Sequence, residues 1–118
     1  MIDILDSDKE NLIAVKFTGK ATQQDMKRIH ALIDGIVEKD LKVDFYLEFH
    51  DFHGYEMKGL WEDLKIDAAH FKDYGKMALV GDKKWLENAA KATDFFTSSE
   101  VRYFSLDDKK SAKEWLSG

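Results

Sequence analysis

The chain has no cysteine and no proline among its 118 residues. Without thiols there is no disulfide scaffold, no thiolate metal site and no cysteine nucleophile. Without proline the commonest mark of a turn is missing, so apolar periodicity must set the element boundaries. Basic charge is the minority: 18 lysines and arginines face 23 aspartates and glutamates, leaving a net charge of −5. That acidic balance excludes the usual electrostatic footprint of nucleic-acid binding. Long apolar runs are absent too. The longest, at residues 12–15 and 77–80, fall well short of the ~20 residues needed to cross a bilayer. The acidic opening, residues 1–6, lacks the basic flank and apolar stretch of a secretory signal. A cytoplasmic protein is expected, with reversible contact at a membrane surface left open.

What is present is enough for a core. Eight phenylalanines, four tyrosines and three tryptophans argue against disorder. A chain of this length buries about two-thirds of its unfolded surface, which suits one domain over residues 1–118. Residues 2–5 and 12–18 form two short apolar runs joined by a polar turn, an opening hairpin that Gly19 ends. Thr22 followed by Asp25 is close to a capping box. Met26, Ile29, Ile33, Ile36 and Val37 then share one side of a helix running to about residue 39. Over residues 41–50 apolar and polar residues alternate strictly, which predicts a strand with one buried and one wet face.

Beyond it, helical spacing recurs at residues 57–71, ending at Gly75, and at residues 82–96. Strands are expected at residues 76–80 and 101–106, and a last helix starting at Asp107 or Asp108 carries Ala112, Trp115 and Leu116. The order is β-β-α-β-α-β-α-β-α. It describes a two-layer α/β domain with a five-stranded mixed sheet and helices mainly on one face.

Residues 77–85 (MALVGDKKW), residues 100–104 (EVRYF), residues 60–64 (LWEDL) with His70 and Phe71 behind them, and the terminal Ala112, Trp115 and Leu116 resemble the SpoIIAA-like family, whose fold is related to the STAS domain. The resemblance spans nearly the whole chain, and no catalytic motif is among its landmarks. STAS partner-switching proteins carry a phosphorylatable serine in the loop after the central strand. Here residues 51–56 read DFHGYE, with no hydroxyl acceptor of that kind. The SpoIIAA-like family is similar in architecture to the lipid-carrying CRAL-TRIO domains, which implies an apolar-ligand pocket and membrane association.

Chemistry-bearing residues offer little else. His50 and His53, with Asp51 and Glu48, group nitrogen and oxygen donors near one strand end, but no second ligand pair completes a zinc set. His30 reads as a hydrogen-bonded core or boundary residue. Asp44 and Glu48 share a strand face about 13 Å apart, too far for a glycosidase pair. A solvated sheet face accounts for them. Gly54 and Gly59 have phosphate-loop spacing, yet Leu60 and Trp61 stand where lysine and a hydroxyl are required.

The leading expectation is a non-enzymatic domain, needing no cofactor or metal, that binds an apolar small molecule or lipid. Trp61, Leu64, Trp85 and Phe96 are its expected ligand contacts, and Lys83, Lys84 and Phe95 its contacts to a membrane surface. The rival is a protein-interaction module acting as a homodimer or on a regulatory protein partner. An enzyme built on His50, His53 and Asp51 is the third reading.

Overall fold

The structure is a computed structural model that describes residues 2–7, 9–19, 22–51, 74–82 and 100–117. Strand β1 (Ile2–Leu5) and strand β2 (Leu12–Thr18) form the opening hairpin. Gly19 closes β2 with φ of +67°, a left-handed conformation that glycine adopts without steric penalty. Helix α1 (Gln23–Val37) follows. The Thr22 hydroxyl accepts from the Asp25 amide at 3.1 Å, while the Asp25 carboxylate accepts from the Thr22 amide at 2.9 Å, so the capping box is complete. The helix stops at Val37 rather than near residue 39. Asp40, at φ +59°, has left helical geometry, which turns the chain into strand β3 (Val43–His50).

Strand β4 (Tyr74–Gly81), strand β5 (Glu100–Ser105) and the C-terminal helix α2 (Lys109–Ser117) complete the described elements. A 3-10 turn, Leu106–Asp108, occupies the positions where that helix was expected to begin. Gly75, expected to end a helix, lies inside β4. The helices expected over residues 57–71 and 82–96 lie outside the described residues.

The strands stand in the order β1-β2-β3-β4-β5, with β1 antiparallel to β2 and the rest parallel. The α/β class and mixed five-stranded sheet are therefore as expected. Strand parity sorts the core into two clusters. Ile13, Val15, Phe17, Phe45, Leu47, Phe49, Met77 and Leu79 meet Met26, Ile29, Ile33 and Ile36 of α1 on one face. Ala14, Tyr46, Ala78 and Val80 meet Ala112 and Leu116 of α2 on the other.

The expected wet face of β3 is corrected here. Asp44 is 7% exposed, Tyr46 1% and Glu48 5%. The physical reason is α2, which lies over this face and brings an aliphatic side to it while α1 covers the other, so every β3 residue from Val43 to Phe49 is buried.

Candidate functional site

Burying a carboxylate is expensive unless it is paired and hydrogen-bonded. Both buried carboxylates of β3 meet that condition, and in both cases the partners tie down α2. Glu48, near the C-terminal end of β3, accepts from the Tyr46 hydroxyl at 2.7 Å. Its other oxygen lies 2.6 Å from His50 Nε2 and 3.4 Å from Lys109 Nζ. Because the ionised carboxylate only accepts, the His50 Nε2 carries the hydrogen in that bond. Burial pushes the Glu48 carboxyl up, but the bonds from His50 and Tyr46 and the charge of Lys109 outweigh it and hold the group below the usual glutamate range. Burial, then the bond to Glu48 and its charge, push the Tyr46 phenol up. Lys109 is the first residue of α2, so Glu48 anchors the start of that helix.

Asp44 works at the other end. Its Oδ2 accepts from Lys9 Nζ at 3.1 Å, and the same lysine donates to the Leu116 carbonyl at 2.7 Å. Lys76 Nζ donates to the Trp115 carbonyl at 3.3 Å. These two ammonium groups satisfy carbonyls that the last turn of α2 leaves without helical partners, and they complement the negative end of its dipole. Asp44 Oδ1 also accepts from the Lys76 backbone amide at 2.9 Å, where the β3–β4 register shifts. The pairing is therefore local to each end of α2, which explains why two carboxylates about 13 Å apart on one strand both remain buried.

Beside this latch a cleft of about 240 Å³ opens between the β1–β2 hairpin and α2. Leu5, Leu12, Ala14 and Tyr46 supply its apolar side. Lys9 and Lys113 stand at its rim together with Asp6, Ser7 and Ser117. Lys9 is engaged by Asp44, whereas Lys113 sits over the Tyr46 ring at 5.5 Å and is exposed. An apolar chain against the leucines with an anionic group at Lys113 is the occupant this chemistry suits.

Sequence reasoning overlooked Tyr46, Lys9 and Lys113, because nothing in their local spacing marks residues that meet only through the fold. Of the residues it did single out, Trp61, Leu64, Trp85 and Phe96, together with Lys83, Lys84 and Phe95, lie outside the described residues. His53 does too. Among the described residues no three histidines, aspartates or glutamates form a metal-ligating group. His50 bonds Glu48, and Asp51 is exposed at φ +52°. His30, in the middle of α1, is half-buried. No helix among the described residues is long and apolar enough to cross a membrane.

Comparison with known proteins agrees with this architecture. The structure is similar to that of an uncharacterized protein from the DUF3478 family with a SpoIIAA-like fold, from Shewanella loihica PV-4. The TM-score is 0.63 at 24% identity, over 98% of this chain and 92% of that one. No functionally curated protein matches the chain. The SpoIIAA-like family model matches residues 12–117, from the start of β2 to the end of α2. Nearly the whole sequence and the fold thus agree, and the chain belongs to the SpoIIAA-like family.

Proposed function

We propose that this SpoIIAA-like chain is a non-enzymatic binding domain for an apolar or lipid-like molecule carrying an anionic head. The observation that supports it is the cleft beside α2, with leucine and tyrosine walls and an exposed lysine at the rim. Its volume suits a short apolar chain rather than a large ligand. The alternative use of His50 as a catalytic base is less well supported, since the His50–Glu48 pair already serves to hold α2. Trp61, Leu64, Trp85 and Phe96 stay in the proposal as ligand contacts on the strength of the sequence alone. Lys83, Lys84 and Phe95 meet an anionic membrane surface, each lysine worth about 1 kcal/mol there.

Titration with a dansyl-labelled fatty acid tests the reading. Saturable fluorescence enhancement is expected for the unaltered chain. Lys113→Glu should weaken it by about tenfold, corresponding to about 1.4 kcal/mol, while the matching uncharged dansyl amide should be affected little. Absence of saturable binding by the unaltered chain would overturn the proposal.

A further inference from the structure

Helix α1 buries Met26, Ile29, Ile33 and Ile36 against the sheet and turns its other side to solvent. The middle of that outer side is largely apolar, with the exposed Asp34 at its margin. It carries Ala31, Leu32 and Gly35, all exposed. Leu32 and its neighbour Ile4 on the edge strand β1 are each 38% exposed, and both line a groove of about 470 Å³ between α1 and the hairpin. Contiguous apolar surface of this kind marks a contact site more often than scattered exposed residues do.

The ends of the same side carry opposite charges. Arg28 stands before the apolar middle and Glu38 after it, both exposed. Neither side chain makes an ion pair or hydrogen bond among the described residues, whereas the adjacent Lys39 pairs with Glu10 at 3.3 Å. A partner that fits must therefore present apolar surface at its centre, an acidic group opposite Arg28 and a basic group opposite Glu38. This face is its own complement when turned end for end.

We propose that a second copy of this chain docks here, with the two α1 helices antiparallel about a two-fold axis level with Ile33. Arg28 and Glu38 lie five residues to either side of that axis, and Ala31 and Gly35 two residues to either side. Each Arg28 then pairs with Glu38 of the second copy, and Ala31 packs on Gly35, as an isologous interface requires. Leu32, one residue from the axis, meets its counterpart. The small residues at the centre let the helices approach to about 8 Å. One 15-residue helix per copy gives an interface at the small end of the specific range, so association depends on concentration. The proposal goes beyond ligand binding: the groove beside α1 shares Leu5, Leu12 and Ala14 with the cleft, but Arg28, Gly35 and Glu38 line no part of that cleft, so substitutions there test the dimer alone.

Sedimentation equilibrium of the full chain, from low micromolar to near millimolar, is the test. A reversible monomer–dimer equilibrium is expected. Arg28→Glu or Glu38→Arg alone should raise the dissociation constant by about tenfold or more by placing like charges together. The double reversal Arg28→Glu with Glu38→Arg should restore it. Gly35→Arg should abolish the dimer while the monomer keeps its melting temperature, since a side chain at Gly35 meets nothing within 4 Å. A chain that stays monomeric throughout, or a dimer indifferent to the charge reversals and to Gly35→Arg, would overturn the proposal.

Discussion

Glu48→Ala is expected to lower the melting temperature by roughly 10 °C, a loss of about 3 kcal/mol for a domain of this size. The substitution removes the acceptor of the buried Tyr46 hydroxyl and the partner of His50 and Lys109 together. An unsatisfied buried hydroxyl costs about 1–3 kcal/mol by itself, and α2 also loses the anchor at its first residue. Glu48→Gln keeps the shape and an acceptor for Tyr46 but not the charge, so its effect should be smaller, about 1 kcal/mol.

Acid behaviour separates the two causes. The folded-state pKa of Glu48 is depressed below its ordinary value of 4.5. Its ionic contribution is therefore fully present above about pH 4.5 and is lost as pH falls through the lower folded value. The stability gap between the unaltered chain and Glu48→Gln should accordingly shrink as pH falls below about 4.5. A gap that stayed unchanged from pH 4.5 down into strong acid would contradict the assignment.

Gly75→Ala is the second large effect, expected to destabilise by about 2–3 kcal/mol. A Cβ at Gly75 would overlap Asp44 Oδ1, the oxygen that accepts from the Lys76 amide. Moving Asp44 aside breaks that bond and disturbs the Lys9 bridge to Asp44 and to the Leu116 carbonyl. The cause is specific, and a double-mutant cycle exposes it. In an Asp44→Ala background the obstacle is gone, so Gly75→Ala should then cost little, giving a coupling of about 2 kcal/mol. Additive effects would mean that glycine is needed at this position for a reason other than Asp44.

The β1–β2 hairpin and the start of α1 were legible because their signals are local. The apolar runs at residues 2–5 and 12–18 coincide with β1 and β2, and Thr22 with Asp25 marks the first turn of α1 within one stretch of chain. Strand β3 was legible as a strand, but its environment was not. Polar Asp44, Tyr46 and Glu48 at alternate positions are the pattern of a wet face, and only distant partners reverse that meaning. Lys9 reaches Asp44 from the opening turn, and Lys109 reaches Glu48 from the far end of the sequence. Gly75 read as a helix end for a related reason. Its requirement comes from the Asp44 side chain across the sheet, not from its own neighbours. The cleft combines Leu5, Tyr46 and Lys113 from three separate elements, and no spacing rule joins them. That residues 51–56 hold no serine or threonine, in contrast, needs only the sequence.

The most direct test of the binding account is mass spectrometry of the purified chain, first under native conditions and then after organic extraction. The account predicts a stoichiometric apolar acid or lipid, held in the native spectrum and released on denaturation. It also predicts that a chain stripped of this compound takes up added fatty acid again, and that Lys113→Glu does so poorly. A bare chain mass that stays unchanged after incubation with excess fatty acid would contradict it.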